Sequence, residues 1–138
     1  MNRYTAAKNR LASNAETDVR LLDRLARTIN VALQERVAEN SQTSSSTLVF
    51  LSHHESADVR AAVAQNQHTP LSTIAWLAYD HSADVRYAMA ESSRTSLDLL
   101  SSLSDDENPY VQRRARQTCA RLKAAQDPAG QCCGGAAS

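Results

Sequence analysis

The stretch "SADVRAAVAQN" at residues 56–66 recurs almost unchanged as "SADVRYAMAES" at residues 82–92, a step of 26 residues. The same step, taken in both directions, divides the chain into units that begin at residues 7, 33, 59 and 85, with a partial fifth unit from residue 111. A period of this length is typical of proteins that are built from stacked structural repeats. Each unit is therefore expected to form the same local structure.

Columns of apolar residues run in register through these units. They comprise Leu11, Val37, Val63 and Met89; Leu22, Leu48, Ile74 and Leu100; and Leu25, Leu51, Leu77 and Leu103. In the second half of the unit from residue 59, Leu71, Ile74 and Leu77 follow one another at helical spacing. This spacing predicts an amphipathic helix whose apolar stripe is buried in the core.

Polar columns predict where the helices begin and end. Thr17, Thr43, Thr69 and Thr95 form one column, and Asn30, Ser56, Ser82 and Asn108 form another. We expect both columns to be N-caps, because their side-chain oxygens can accept from the free N–H groups of a first helical turn. Pro70 and Pro109 follow such residues directly and suit the first helical position.

A third polar column predicts helix C-termini, because asparagine tolerates the left-handed conformation found there. It consists of Asn14, Asn40 and Asn66.

Each unit is thus predicted to contain two helices, each of about nine residues, which are marginal in isolation. Such helices must be stabilised by stacking against neighbouring units. We therefore predict an all-α fold, an α-solenoid over residues 1–125 that ends in a capping helix at residues 109–125. Residues 126–138 are rich in glycine, cysteine and other small residues, and a disordered tail is expected there.

The composition argues against two classes of protein. The 15 Lys and Arg residues balance the 15 Asp and Glu residues, whereas nucleic-acid binders are usually basic. No apolar run reaches the ~18 residues of a membrane span, and the N-terminal stretch lacks the apolar segment of a signal peptide. With three cysteines and no secretion signal, we expect a cytoplasmic, reduced protein.

The unit "VRAAVAQNQHTPLSTIAWLAYDHSAD" at residues 59–84 resembles the leucine-rich repeat variant, a helical repeat family similar to HEAT and armadillo repeats. That family's pattern is V-R-x-x-V-A-x-N-x-x-T-P-x-x-L-x-x-L-A-x-D, and the next unit departs from it at Ser92 and Ser96. The resemblance implies a bacterial scaffold protein that forms a right-handed superhelix, with second helices that are partly 3₁₀. One branch of the family carries an iron–sulfur cluster on an N-terminal Cys-rich segment. This chain has no cysteine before Cys119, so we expect no cofactor.

Aromatic residues are the candidates for binding another protein. Phe50 and Trp76 occupy the same position in adjacent units and, on an ideal α-helix, point away from the apolar stripe. Two such rings side by side would anchor a partner protein, and Tyr79 and Tyr87 would extend the surface. The alternative is that both rings pack between repeats, which a 3₁₀ second helix would favour.

Arginine rows suggest nucleic-acid binding as an alternative. Arg60 and Arg86 share a position in adjacent units. The last helix adds Arg113, Arg114 and Arg116. Such rows can follow a phosphate backbone. The balanced charge favours instead a ladder of ion pairs, in which Arg60 pairs with Asp84.

A metal or redox role is the second alternative. His53, His54 and His81 lie with Asp80 at the ends of second helices, and Cys132 and Cys133 are adjacent in the tail. Imidazole, carboxylate and thiolate groups bind metals, but exposed turn residues are more often simply solvated. Adjacent cysteines also lack the C-x-x-C spacing of a metal site.

No catalytic motif is found in the sequence. It contains no G-x-S-x-G, Walker loop or H-E-x-x-H, and its three glycines cannot form a phosphate-binding loop within the repeats. We therefore expect a protein that is not an enzyme and that binds another protein.

Overall fold

The computed structural model describes residues 3–127, and this part of the chain is helical, with no strand. The helices are α1 (Arg3–Ser13), α2 (Val19–Ala26), α3 (Val31–Glu39), α4 (Ser45–Leu51), α5 (Ala57–Gln65), α6 (Leu71–Leu77), α7 (Ala83–Glu91), α8 (Leu97–Leu103) and α9 (Pro109–Gln126). The all-α prediction is confirmed for the described residues.

Long and short helices alternate along the chain. Helices α3, α5 and α7 have nine residues each, whereas α4, α6 and α8 have seven. From α2 onward, corresponding helices begin 26 residues apart, as the sequence period requires. The short helices are α-helical, so the 3₁₀ component implied by the family resemblance is not found between residues 3 and 127.

The long helices contact one another in chain order, α1 with α3, α3 with α5, α5 with α7, and α7 with α9. Each short helix packs against the long helix that follows it. The core lies between these two sets of helices and contains most of the predicted apolar columns. Its largest fully buried side chains include Leu22, Leu48, Ile74, Leu100, Val37, Val63 and Met89.

Two leucines of the predicted core are exposed. Leu11 is 42 % exposed, because α1 is the first described helix and its contacts are with α2 and α3, which follow it. Leu71 is 68 % exposed and is the first residue of α6. Since Cα–Cβ bonds tilt toward the N-terminus of a helix, its side chain extends beyond the helix end. The position of α1 therefore accounts for the exposure of Leu11, and the end of α6 accounts for that of Leu71.

The threonine column does not cap the short helices as predicted. The hydroxyls of Thr43, Thr69 and Thr95 donate to the carbonyls of Val37, Val63 and Met89, at 2.5, 2.6 and 2.7 Å. Each of these carbonyls, in the last turn of a long helix, also accepts from the backbone N–H of the residue that follows that helix. The N-caps are one residue later, at Ser44, Pro70 and Ser96, so Pro70 precedes the first helical position instead of occupying it.

The second N-cap column is confirmed in position, although the side chains of Ser56 and Ser82 make no capping hydrogen bond. Asn30, Ser56, Ser82 and Asn108 are the N-caps of α3, α5, α7 and α9. The side-chain oxygen of Asn30 accepts from the N–H of Leu33, 3.1 Å away. Pro109 occupies the first position of α9, where its missing N–H leaves no hydrogen bond unmade.

The asparagine column has a different role from the predicted left-handed cap. Asn40 and Asn66 are extended, with φ of −70° and −72°. The Asn40 side-chain amide donates to the carbonyls of Ala12 and Asn14, at 2.6 and 2.9 Å. That of Asn66 donates to Ala38 and Asn40, at 2.7 and 2.9 Å. These residues form a ladder that links the C-terminal ends of successive long helices.

Arg94 continues this ladder where the asparagine column is interrupted by Ser92. Its Nη1 donates to the carbonyl of Asn66 at 2.7 Å, and its Nη2 donates to the carbonyl of Thr69 at 2.8 Å. The shorter serine side chain carries no amide, so a long side chain from the following turn supplies the donors.

Candidate functional site

Phe50 and Trp76 lie at the protein surface and also contact the preceding repeat. Each is the next-to-last residue of a short helix, and they are 45 % and 48 % exposed. The guanidinium carbon of Arg27 lies 4.8 Å from the ring centroid of Phe50. The ring centroids of His53 and Trp76 are 4.9 Å apart, with the ring planes inclined by 56°. Each ring is thus packed against the preceding repeat on one side and exposed on the other.

Trp76 forms one wall of a cleft between consecutive repeats, with a volume of about 670 Å³. His53, Arg60, Tyr79 and Asp80 also line this cleft, which we call the Trp76 cleft. It brings together residues from the predicted aromatic, arginine and histidine sets. The sequence predicts a separate role for each of these three sets.

A second cleft lies one repeat further along the chain, with a volume of about 570 Å³. Tyr79, Arg86, Ser102, Asp106 and Glu107 line it, and we call it the Ser102 cleft. These residues occupy the repeat positions of His53, Arg60, Trp76, Asp80 and His81 in the Trp76 cleft. The two clefts are therefore the same structural feature built from different side chains.

A bidentate ion pair lies at each cleft. The Nε and Nη2 atoms of Arg60 lie 2.8 and 2.9 Å from the carboxylate oxygens of Asp80, and the two side chains are only 4 % and 2 % exposed. Arg86 and Asp106 repeat the arrangement at 2.7 and 3.1 Å. Planar, charge-assisted pairs of this kind fix the orientation of both side chains.

The arginines determine the protonation of these aspartates. Burial alone would raise the pKa of Asp80, but hydrogen bonds from Arg60 and from the N–H of Ser82 outweigh it and hold that pKa below its ordinary value. The pKa of Asp106 is lowered by the same balance, in which the hydrogen bond from Arg86 opposes burial. The hydrogen bond to Asp106 raises the pKa of Arg86 in turn. Both pairs are therefore charged at neutral pH.

The predicted partner of Arg60, Asp84, is wrong. Asp84 lies exposed in the first turn of α7, whereas Asp80 lies in the preceding turn and also accepts from the N–H of Ser82 at 2.8 Å. That hydrogen bond orients the Asp80 carboxylate toward Arg60. The sequence does carry a signal for the true partner, because aspartates recur at positions 80 and 106, one repeat length apart.

The five arginines of the nucleic-acid alternative have different environments. Arg60 and Arg86 are held by aspartates at the clefts. Arg114 pairs with Glu91 at 2.5 Å. Arg113 and Arg116 are exposed on α9. Two of these arginines are thus largely shielded from solvent, which weighs against a continuous phosphate-binding row.

The histidines of the metal alternative take part in other contacts. His54 Nδ1 accepts from the N–H of Ser56 at 2.9 Å, and His81 Nε2 lies 3.2 Å from Arg60 Nη2. Between residues 3 and 127, no group of three or more His, Cys, Asp or Glu side chains is arranged to hold a metal ion. Cys132 and Cys133 lie outside the described residues.

The predicted aromatic set is only partly brought together. Tyr79 is 70 % exposed and lines both clefts, next to Trp76. Tyr87 is 38 % exposed on α7 and lines neither cleft, and Phe50 lies one repeat before Trp76. Sequence reasoning missed Arg27 as a ring contact, because the sequence does not show which ring an arginine faces. It missed Ser102 as a cleft residue, because serine by itself suggests no such role.

No family model, curated protein sequence or solved structure matches this chain. The resemblance to the leucine-rich repeat variant therefore rests on the residues quoted above. Among the helices of residues 3–127, none combines the length and the apolar character needed to cross a bilayer.

Proposed function

We propose that this chain is a cytoplasmic, non-catalytic helical-repeat scaffold that binds another protein along the edge carrying Phe50, Trp76 and Tyr79. We propose further that it is a right-handed α-solenoid of the leucine-rich repeat variant type. The chain-order contacts of the long helices and the asparagine ladder support a solenoid. In such stacks, one position of each unit recurs along a common surface, which suits extended contact with a partner.

The observation that supports this function is that the two rings are both exposed to solvent and held by a neighbouring side chain. Phe50 and Trp76 are about half exposed, yet Arg27 and His53 hold one side of each ring. A ring that is already ordered loses little conformational freedom on binding, so more of its contact energy appears as affinity. Aromatic residues are also enriched among those that dominate the energy of protein interfaces.

The experiment is affinity capture from native lysate with the tagged full chain, with and without nuclease. We expect the wild type to retain a discrete protein in both conditions, and the double variant Phe50→Ala/Trp76→Ala to lose it. Leu71→Ala is the matched control, because Leu71 is 68 % exposed on the same helix as Trp76 but lines neither cleft. This control should retain the partner.

Circular dichroism on the three proteins separates binding from folding. A folded double variant that still retains the partner would contradict the proposal. Capture that disappears with nuclease would favour the nucleic-acid alternative, which predicts an affinity that falls steeply with salt. Loss of cooperative unfolding in the double variant would show that the rings are needed mainly for packing between repeats.

A further inference from the structure

A contact between side chains of successive repeats occurs twice and is then missing. Arg27 packs on Phe50, and one repeat later His53 packs on Trp76. One repeat further, the corresponding residues are Tyr79 and Ser102. The serine has no ring, so the Tyr79 side chain has no aromatic partner from α8 and is 70 % exposed.

The Ser102 cleft occupies the place of this absent ring. Its walls include the apolar side chains of Ala78, Leu99 and Leu103, in addition to Tyr79. Its volume of about 570 Å³ is ample for one aromatic side chain together with neighbouring peptide atoms. The cleft therefore has the shape and lining of a site for a planar apolar group.

The polar rim of the cleft carries excess negative charge. Asp106 neutralises Arg86, and Asp80 is neutralised by Arg60. The Glu107 carboxylate is 3.4 Å from Arg86 Nη2, but that arginine already has a bidentate partner, and the Glu107 side chain is 89 % exposed. A cationic group next to the bound ring would complement this rim.

From these observations we infer that the Ser102 cleft binds an aromatic side chain of a partner protein that is flanked by lysine or arginine. The ring packs on Tyr79, in the place that Trp76 takes in the preceding repeat, and the flanking cation lies beside Glu107. Residues 128–138 of this chain contain no aromatic and no basic residue, so they lack the chemistry that the cleft selects. The inference rests on the proposed function and names the feature of the partner that is recognised.

The test uses the full chain and a blocked tripeptide of sequence lysine–tryptophan–lysine, followed by amide NMR. We expect saturable shifts centred on the amides of Tyr79 and Ser102, with a Kd on the order of 1 mM for so small a ligand. The tripeptides lysine–alanine–lysine and glutamate–tryptophan–glutamate test ring and charge separately, and each should bind at least about tenfold more weakly.

Ser102→Trp restores the absent ring and should weaken binding of lysine–tryptophan–lysine at least about tenfold by filling the cleft. Ser101→Trp is the matched control, because Ser101 is the exposed neighbouring residue and does not line the cleft. It should bind like the wild type. If Ser102→Trp unfolds, Tyr79→Ala replaces it, since removal of this exposed ring takes away the wall on which the ligand packs.

Three results would overturn the inference. The first is unchanged binding by folded Ser102→Trp or Tyr79→Ala, and the second is shifts centred on another surface. The third is the same Tyr79 shifts at high protein concentration without peptide, which would show that a second copy of the chain fills the cleft.

The natural partner distinguishes this inference from the proposed function. A partner that is lost from Phe50→Ala/Trp76→Ala but retained by Ser102→Trp would preserve the function and refute the role of the Ser102 cleft. Loss from both variants would support the two together. If Ser102→Trp weakens binding of the peptide but Phe50→Ala/Trp76→Ala still retains the natural partner, only the proposed binding edge is refuted.

Discussion

At the residue scale, the pair of Arg60 and Asp80 places two charges where almost no solvent reaches them. Its side chains are 4 % and 2 % exposed, and Arg60 Nη1 also donates to the carbonyls of His54 and Glu55. A buried charge is tolerated only when it is paired and its donors are satisfied. Arg60 therefore joins the turn after α4 to the turn before α7.

Asp80→Asn should strongly destabilise the protein, because it leaves the guanidinium of Arg60 buried without its counter-charge. We expect the free energy of unfolding to fall by about 3 kcal/mol, as measured by urea denaturation. The matched control is Asp84→Asn, at the exposed aspartate that the sequence had suggested as the partner. It should change stability by less than about 0.5 kcal/mol. Equal effects of the two substitutions would contradict the role assigned to Asp80.

Acid should weaken the fold through the same aspartates. Because their pKa values are lower in the folded state, the unfolded chain binds protons more readily as the pH falls. Their stabilising contribution is complete above the unfolded aspartate pKa of about 3.9 and is lost as the pH falls through the folded values. Urea midpoints measured from pH 6 to pH 3 should decline below about pH 4, and less steeply for Asp106→Asn. Parallel slopes for the two proteins would rule out this linkage for Asp106.

At the element scale, short helices need side chains that satisfy the backbone groups at their ends. Three sets of side chains that donate to backbone carbonyls recur with the sequence period. They are the threonine hydroxyls, the asparagine ladder and the column that contains Gln34, Arg60 and Arg86. Gln34 donates to the carbonyl of Ala26 at 3.0 Å, and Arg86 donates to that of Asp80 at 2.9 Å. A helix of seven to nine residues cannot supply these partners from within itself.

Arg94→Ala should remove the donors for the carbonyls of Asn66 and Thr69. Because the Asn66 carbonyl keeps the N–H of Thr69 as a donor, the cost comes from two lost hydrogen bonds and from the Thr69 carbonyl, which loses its Arg94 donor. The free energy of unfolding should fall by about 1–2 kcal/mol in urea titrations. In that background, Ser92→Asn should restore at least about half of the loss, because it reinstates the ladder asparagine that donates to the carbonyl of residue 66. The same substitution in the wild type is the control and should be nearly neutral. A double variant no more stable than Arg94→Ala would show that position 92 cannot take the ladder role.

At the scale of the whole molecule, stability depends on contacts between neighbouring units. Helix α9 packs against both α7 and α8 and buries Val111 and Ala115 in the core. It therefore covers a surface that in earlier repeats is covered by the next unit.

A chain truncated after Asn108 should lose this cover, exposing apolar side chains such as Met89 and Leu103. The free energy of unfolding should fall by at least about 2 kcal/mol, and amide exchange should accelerate first in α8. The reference is a chain that ends at Asp127, which retains α9 complete. Equal protection of α8 in the two proteins would contradict a closing role for α9.

The candidate site could be predicted only in part from the sequence. Trp76 and Tyr79 were identified because exposed aromatic residues are recognisable in a helical pattern, and both line a cleft. Ser102 was not identified, because a serine is informative only once His53 is seen to contact Trp76 across the repeat boundary. The absence of a ring opposite Tyr79 is visible only from the contacts between repeats, because a serine in the sequence does not show which contact it leaves unmade.

The amino-acid sequence by itself determined the helical class, the period of 26 residues and most of the buried positions, because helix periodicity and N-caps act within one or two turns. Only the tertiary structure decided the partner of Arg60, the roles of the threonine and asparagine columns, and the two-sided environment of Phe50 and Trp76. Several of these contacts join residues 20 to 28 positions apart in the chain. They depend on the offset and angle between neighbouring helices, which no single repeat specifies.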